Sequence, residues 1–215
     1  MVEKTYFISF EGIDGSGKDT QLFALAQAIK EDDNYPFGNK YSNIWITRNP
    51  TKITPSGVEI SELIRSQDVD GKTASRLYIK DRIEHTQYIK EVLKHSHVLT
   101  SRYDVSTLTY QLAQGEDFDE LYEMHNFEEE IGCIFPNVTV VFEIPAEVSF
   151  ERISSRGEQT ECFEKLDFQK KLVASQKYCV ERLLEKGRKI ILVNSNQSIE
   201  KVTKEMLEKL DQILL

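Results

Sequence analysis

Residues 12–20 read Gly12-Ile13-Asp14-Gly15-Ser16-Gly17-Lys18-Asp19-Thr20 and follow an apolar run, Tyr6–Phe10, that predicts a buried strand. Apolar residues recur at helical spacing over 21–29, which predicts a helix beginning near Lys18. The glycines let the backbone curl with its N–H groups inward, and the lysine adds a full positive charge. This spacing between a strand and a helix predicts a phosphate-binding loop. The residues expected to bind the phosphate-bearing ligand are Gly12, Asp14, Gly15, Ser16, Gly17, Lys18, Asp19 and Thr20.

One position departs from the usual phosphate-binding loop. The residue after the lysine is ordinarily Ser or Thr, whose hydroxyl binds Mg²⁺, whereas this chain has Asp19 followed by Thr20. A carboxylate also binds Mg²⁺, but beside phosphates it adds repulsion unless a metal intervenes. Asp19 is therefore either a metal ligand or a side chain directed away from the phosphates, and the sequence leaves both open.

Composition limits the class of protein. With 215 residues, of which 40% are hydrophobic, the chain suits one α/β domain, with or without a small lid. A net charge of −9 argues against a general nucleic-acid binder, which normally has a basic face. No apolar run approaches the roughly 20 residues that span a bilayer, and Met1–Thr5 shows no signal-peptide pattern. We therefore expect a cytoplasmic protein with neither nucleic-acid nor membrane partners.

The cysteines and histidines show no metal-binding spacing. No two of the 3 cysteines form a close pair, which predicts reduced, structural thiols. The 4 histidines lack the spacing of a zinc site and are predicted to be packing or surface residues. These residues are Cys133, Cys162 and Cys179, and His85, His95, His97 and His125.

Five apolar segments alternate with helical patterns along the chain. The predicted strands are 6–10, 43–47, 98–100, 138–144 and 189–193. The first predicted helix begins near residue 18, and the others cover 57–65, 72–94, 105–113, 117–126, 146–155, 168–185 and 199–215. In the helix over 72–94, an imperfect apolar face is predicted from Ala74, Leu77, Tyr88 and Val92. The alternation predicts a single α/β domain with a five-stranded parallel sheet covered by helices on both faces.

Ligands of such a sheet bind beyond the carboxyl ends of its strands. Several polar residues lie at or near these ends, and we expect them to converge on one crevice: Asp14, Arg48, Ser101, Arg102 and Glu143. A short polar segment around 156–166 has the composition of a mobile lid.

Four segments of the sequence match, in order and spacing, the pattern of a known enzyme family. Phe10-Glu11-Gly12 leads through Asp14 into the loop, and Thr47-Arg48-Asn49-Pro50 follows the second strand. Leu77–Arg82 places a tyrosine four residues before an arginine, and Ser101–Gln111 begins Ser-Arg-Tyr and ends Tyr-Gln. In order and spacing these segments resemble the thymidylate kinases, P-loop nucleoside-monophosphate kinases that phosphorylate dTMP. The resemblance covers nearly the whole chain.

The resemblance implies roles for the acceptor site. Asp14 would accept a hydrogen bond from the sugar 3′-OH, and Arg48 and Arg102 would clamp the monophosphate, which guanidinium groups bind bidentately. Tyr78 would stack on the pyrimidine, and Arg82 would bind a base carbonyl. Ser106 or Thr107, with Gln111, would bind the other base edge or line the sugar pocket, and Tyr110 would crowd a 2′-OH.

The transition-state arginine of this family comes from the P-loop or the lid. This loop has Gly15-Ser16 and no arginine, so the resemblance implies a lid arginine, with Arg156 preferred and Arg152 second. Two departures stand out. Ser101 replaces the aspartate of the family's D-R-Y, and Asn49 replaces the glutamate of its T-R-E-P. Our hypothesis is that Asp19 supplies the carboxylate missing at Ser101.

The sequence therefore predicts a kinase that transfers the γ-phosphoryl group of ATP, with Mg²⁺, to dTMP. The resemblance also implies a homodimer, for which the helix beginning at Lys72 is the predicted interface. Two alternatives stay open. One is a related kinase for another monophosphate or a deoxynucleoside, although Arg48 and Arg102 favour a monophosphate. The other is a catalytically weak nucleotide-binding or regulatory protein.

Overall fold

A computed structural model describes residues 4–31, 35, 42–66, 71–125, 131–155 and 166–214. Along the described chain, each strand is followed by one or two helices. The strands are β1 (Phe7–Glu11), β2 (Ile44–Arg48), β3 (His97–Ser101), β4 (Val138–Glu143) and β5 (Ile190–Asn194). The helices are α1 (Lys18–Glu31), α2 (Pro55–Ser66), α3 (Gly71–Val92), α4 (Asp104–Ala113), α5 (Phe118–Glu123), α6 (Ala146–Ser154), α7 (Leu166–Glu185) and α8 (Ile199–Leu214). The predicted lid residues 156–165, Arg156 among them, lie outside the described residues.

The five strands form one parallel sheet in the order β2-β3-β1-β4-β5. The predicted α/β class and parallel sheet are thus confirmed. Strand β1 is central, with β3 and β2 on one side and β4 and β5 on the other. The loop after β1 therefore lies where the strand order reverses, which is where ligands of such folds bind. Register places Phe10 of β1 opposite Ser101 of β3, and Ser101 opposite Arg48 of β2.

Strand β1 is buried on both faces, which explains its continuous apolar run. Its side chains alternate between two cores. Ile8 and Phe10 pack with Leu25 of α1 and Met206 of α8 on one face. Phe7 packs on the other face, in a cluster that includes residues of α3 and β3. Both ends of the loop after β1 are therefore anchored in packed apolar structure.

The buried face of α3 is largely polar, so the predicted apolar stripe is wrong for Tyr88, which is 50% exposed. The buried residues are instead Ala74, Ser75, Ile79, Asp81, Arg82, His85, Thr86 and Ile89. Many of these polar side chains have protein hydrogen-bond partners, which makes their burial tolerable. A search for apolar periodicity could not find a face of this kind.

Within the described residues, no helix is both long and apolar enough to cross a bilayer. Cys133 and Cys179 are buried free thiols, and burial raises the pKa of each to about 12. His85 and His125 are also fully buried. They pack inside the protein, one of the two environments that the sequence predicted for the histidines.

Candidate active site

The loop from β1 to α1 is tightly wrapped. Gly15 has φ +78°, and a Cβ placed on it would lie 2.8 Å from the backbone oxygen of Ser149 in α6. The hydroxyl of Ser149 donates to the Asp14 carbonyl at 2.6 Å, which fixes this approach. The Ser16 hydroxyl is buried and has no hydrogen-bond partner among the described residues. Because buried polar atoms are normally bonded, an unpartnered hydroxyl here suits a ligand oxygen.

Gly15→Ala is expected to lower the free energy of unfolding by about 2–4 kcal/mol, since it adds a backbone clash to left-handed strain. The matched control is Gly187→Ala, which has a similar φ of +77° but open space around the added Cβ. Strain alone should cost that control roughly 1 kcal/mol. Chemical denaturation measures both, and equal losses would contradict the close packing of the loop against α6.

Asp14 lies at the centre of a charged cluster. Its carboxylate contacts Arg102 Nη2 directly and Lys18 Nζ at 3.8 Å, and it accepts the Tyr110 hydroxyl at 2.8 Å. Burial raises the pKa of Asp14, but the charges of Arg102 and Lys18 and the hydrogen bonds from Tyr110 and Arg102 together hold that pKa below its usual range. Burial and the Arg102 charge lower the pKa of Lys18 to about 8. Two cations therefore surround one ionised carboxylate beside the loop.

Arg102 has an unusual backbone, with φ +65°. Its N–H donates to the Phe10 carbonyl at 2.9 Å, and its carbonyl accepts the Thr100 hydroxyl at 3.0 Å. The guanidinium carbon lies 5.0 Å from the centroid of the Tyr110 ring. The strained turn thus carries the guanidinium from the end of β3 back to the loop after β1. Strain of this kind persists only where the surroundings hold it.

Glu11 fixes the chain just after Arg102. Its carboxyl accepts the Tyr103 N–H at 2.8 Å and the Ser106 hydroxyl at 2.5 Å. Tyr103 occupies the N-cap of α4 and makes no side-chain cap, and Glu11 ties the backbone N–H of this N-cap residue to β1. Burial, and then the neighbouring Asp104 charge, raise the pKa of Glu11 to about 7.

The raised pKa of Glu11 predicts a pH dependence of stability. Between the ordinary value of 4.5 and about 7, the folded state binds the proton more tightly than the unfolded state. The stabilising contribution is full below that window and is lost as pH rises through it. Relative to Glu11→Gln, the wild-type protein should lose about 1–3 kcal/mol of unfolding free energy across the window. Denaturation at several pH values measures the difference, and parallel curves would contradict it.

Of the two arginines predicted to bind the monophosphate, the one on β2 is accessible to solvent. Arg48 ends β2 and is exposed, opposite Ser101 in register. The next residue, Asn49, instead points inward and donates to Asp81 Oδ2 at 2.9 Å. Asp81 also accepts the Thr51 N–H at 3.0 Å and the Thr54 hydroxyl at 2.5 Å, and burial raises its pKa. Asn49 therefore holds the loop after Arg48 to α3.

The predicted base-binding residues divide into two groups. Tyr78 is half-buried on α3, whereas Arg82 is 1% exposed. The terminal nitrogens of Arg82 bond to the Tyr103 carbonyl at 2.6 Å, Thr107 at 2.8 Å and His125 at 2.8 Å. Its Nε has no hydrogen-bond partner among the described residues. Among the described contacts, Nε and the second N–H of Nη1 are therefore the Arg82 donors without a protein partner.

The remaining predicted residues on α4 also have protein partners. Gln111 accepts the Ser75 hydroxyl at 3.1 Å, which ties α4 to α3. Ser106 is shared between Glu11 and Arg102, whose Nη1 lies 3.4 Å from its hydroxyl. These residues stay predictions as substrate contacts, and they also hold the acceptor side of the site together.

Arg152 bonds to backbone rather than standing free. Its Nη1 donates to the Gly15 carbonyl at 3.1 Å, and its Nη2 donates to the Ser195 carbonyl at 3.1 Å. It therefore joins the phosphate-binding loop to the segment between β5 and α8. In this arrangement Arg152 supports the loop from behind, and Arg156 lies outside the described residues.

The donor set suits Mg²⁺ only together with phosphates. No group of three or more His, Cys, Asp or Glu side chains that could hold a metal exists among the described residues. Mg²⁺ is commonly held by one or two carboxylates, phosphate oxygens and water. The exposed Asp19 carboxylate, at the start of α1 beside Lys18, fits that chemistry.

The model of the thymidylate kinase family matches residues 10–206 of this chain. The chain belongs to the thymidylate kinase family. Membership makes the protein a kinase, an enzyme of the transferase class. The matched residues include the end of β1, the phosphate-binding loop, the Arg102 turn and strands β2 to β5.

Relatives from archaea and a eukaryote are similar along almost the whole chain. A probable thymidylate kinase of Methanococcus maripaludis strain S2 is 30% identical over 207 residues, covering 94% of this chain and 92% of the relative. A probable thymidylate kinase of Methanocaldococcus jannaschii is 31% identical, with 96% of each chain covered. A thymidylate kinase of Dictyostelium discoideum is 29% identical, with 96% and 85% covered.

Several supporting residues of this thymidylate kinase family member were not found from the sequence. Glu11 belongs to a sequence motif that assigns it no role of its own, although a carboxylate at the end of an apolar strand indicates a special role. Asp81 and His125 support Asn49 and Arg82, respectively, and Ser149 supports the loop. Their partners are 20 or more residues away, so no local spacing could identify them.

Proposed function

We propose that this protein phosphorylates dTMP to dTDP, with ATP as the phosphoryl donor, Mg²⁺ as the metal ion and dTTP synthesis as the purpose. One observation carries the proposal. The Arg102 guanidinium and the Lys18 ammonium flank the same carboxylate, Asp14, at the mouth of the phosphate-binding loop. A second anion bound by Arg102 would therefore lie beside the polyphosphate bound by Lys18, as transfer between them requires.

Each residue has a physical role in this proposal. The loop amides, the Ser16 hydroxyl and Lys18 bind the donor phosphates, aided by the positive end of α1. Arg102, with the exposed Arg48, binds the acceptor phosphate, and Asp14 accepts the sugar 3′-OH. Mg²⁺ neutralises charge on the donor phosphates when bound. Asp19 is the proposed metal ligand.

Acceptor selection is assigned to α3 and α4. Tyr78 would stack on the thymine, Arg82 would donate to a base carbonyl, and Ser106, Thr107 and Gln111 would hold the base and sugar. The Tyr110 hydroxyl contacts both Asp14 and Arg102, at 2.8 Å and 3.3 Å, so it stands beside the proposed sugar position. In that place Tyr110 would crowd a 2′-OH and favour deoxyribose.

Lid closure is part of the proposal, because water left in the site would hydrolyse ATP. Arg156 is the preferred transition-state arginine, since the P-loop carries no arginine. Arg152 is the second choice, and its two backbone contacts favour a supporting role instead. We further propose a cytoplasmic homodimer in which α3 contributes to the interface. Sedimentation equilibrium would measure the assembly directly.

An ADP-release assay tests the function. ATP is incubated with dTMP, dUMP, dCMP, dGMP, TMP or thymidine, with and without Mg²⁺. We expect the highest kcat/KM with dTMP and turnover only with the metal. Preference for another monophosphate would replace the proposed substrate, and turnover of thymidine alone would exclude the monophosphate clamp. Nucleotide binding without turnover would identify a binding protein instead.

A further inference from the structure

The two sites at which this chain departs from the usual pattern are in contact. Ser101 ends β3, beside Phe10 of the central strand, and Asp19 is the second residue of α1. The Ser101 hydroxyl donates a short hydrogen bond to Asp19 Oδ1. Ser101 is 9% exposed, whereas Asp19 is exposed. The bond therefore joins a buried strand end to a carboxylate that solvent or a metal ion can reach.

The chemistry of this pair has a general counterpart. P-loop enzymes commonly hold Mg²⁺ with the hydroxyl of the residue after the loop lysine and with an aspartate from elsewhere in the site. Here the aspartate follows Lys18, and the hydroxyl ends the neighbouring strand. The site retains one hydroxyl and one carboxylate, joined by a hydrogen bond, but their positions in the chain are reversed.

We propose that Asp19 and Ser101 form an exchanged magnesium-binding pair. Asp19 supplies the carboxylate for the Mg²⁺ of the bound nucleotide, and Ser101 is a positioning residue that orients it. The inference rests on the proposed function for the presence of MgATP. Of the two orientations that the sequence left open for Asp19, the hydrogen bond to Ser101 favours the metal ligand, because it holds the Asp19 side chain at the end of β3.

The electrostatics support this assignment. Lys18 and Asp19 are adjacent at the start of α1, so a bound polyphosphate would meet a negative side chain beside its main cation. The cost of that repulsion disappears if a divalent cation lies between the two anions. Asp19 Oδ2 accepts no hydrogen bond from the described residues, so one oxygen remains for the metal.

An exact exchange of the two residues tests the pair. Asp19→Ser, Ser101→Asp and the double variant Asp19→Ser/Ser101→Asp are compared with wild type, and the double variant keeps the composition and net charge. Isothermal titration calorimetry gives the dissociation constant of ATP with saturating Mg²⁺ and with EDTA. The dissociation constant with EDTA divided by the dissociation constant with Mg²⁺ measures how much the metal strengthens ATP binding, without requiring turnover. Glu208→Gln, an exposed site on α8, controls for the loss of one negative charge.

We expect Asp19→Ser to reduce the ratio at least about tenfold, because a metal ligand is lost. Ser101→Asp keeps the Asp19 carboxylate and should not reduce the ratio, because a second carboxylate attracts Mg²⁺ and repels the metal-free polyphosphate. The double variant should recover most of the wild-type ratio, and Glu208→Gln should leave the ratio unchanged. An unchanged ratio in Asp19→Ser, or a double variant no better than the worse single variant, would overturn the proposal.

Two further measurements keep the outcome decisive. If the double variant does not fold by circular dichroism, Ser101→Ala replaces it, and an unchanged ratio there would remove the positioning role. Wild-type turnover of dTMP separates the two proposals. If the wild type phosphorylates dTMP and the Asp19→Ser variant keeps the wild-type ratio of ATP dissociation constants, only the exchanged pair is refuted. If the ratio falls in Asp19→Ser but the wild type does not phosphorylate dTMP, only the proposed function is refuted.

Discussion

Arg102→Met is expected to lower kcat/KM for dTMP about a thousandfold, the scale on which arginine contacts act in phosphoryl transfer. The variant loses the cation that faces Asp14 and Tyr110, and with it the proposed bidentate contact to the acceptor phosphate. The dissociation constant of ATP should change little, because Lys18 and the loop amides remain. Steady-state kinetics with dTMP and calorimetry with ATP measure the two quantities separately.

Arg182→Met is the matched control for this prediction. Arg182 lies near the end of α7, where its guanidinium pairs with Asp119 of α5. Its removal should leave kcat/KM unchanged. Arg102→Lys is expected to recover only part of the activity, since an ammonium cannot form the bidentate contact. Equal losses of ATP and dTMP affinity in Arg102→Met would contradict an acceptor-specific role.

The phosphate-binding loop could be predicted because its information is contiguous. Gly15, Lys18 and the flanking apolar runs lie within two dozen residues, and each has a local physical reason. The five strands were also predictable, because buried parallel strands consist of apolar runs. The order of those strands could not be predicted, since the alternation of strands and helices is compatible with more than one arrangement of a parallel sheet.

The parts of the site that the sequence did not reveal depend on distant partners. Asn49 replaces a glutamate of the family pattern, and its partner is Asp81 on α3. The resemblance implies Arg152 as the second choice of lid arginine, and its partners are backbone carbonyls of the loop and of the segment after β5. The type of each residue indicated a role, but only the packing of the elements gives its partner.

The same reasoning applies to Asp104 and Arg188, which are 84 residues apart. Asp104 begins α4 and is fully buried, and Arg188 precedes β5 and is 7% exposed. Arg188 Nη1 lies 2.6 Å from Asp104 Oδ2. Burial raises the pKa of Asp104, but the charge and hydrogen bond of Arg188, together with the nearby His125 and Arg82, outweigh burial and hold that pKa below its usual range. The pair thus fixes the start of the helix that follows the Arg102 turn.

Arg188→Met is expected to lower the free energy of unfolding by about 3–5 kcal/mol, because it leaves a buried carboxylate without its counter-ion. The double variant Arg188→Met/Asp104→Asn should recover part of the loss, since it also removes the uncompensated charge. The sign of the pH dependence follows. A depressed carboxyl pKa stabilises the wild type above the unfolded value of 3.8, and this contribution is lost as pH falls through the folded value. The single variant should lack this acid-dependent loss.

The exposed pair of Arg182 and Asp119, 2.7 Å apart, provides the contrast. Arg182→Met should lower the free energy of unfolding far less than Arg188→Met does, because water screens both charges and solvates the aspartate that remains. Urea denaturation of the four proteins, with wild type as reference, gives the comparison. Similar costs for Arg188→Met and Arg182→Met would mean that Asp104 is solvated or neutral in the folded protein. In that case α4, and the Arg102 turn before it, would have to be held by Glu11 without help from the buried ion pair.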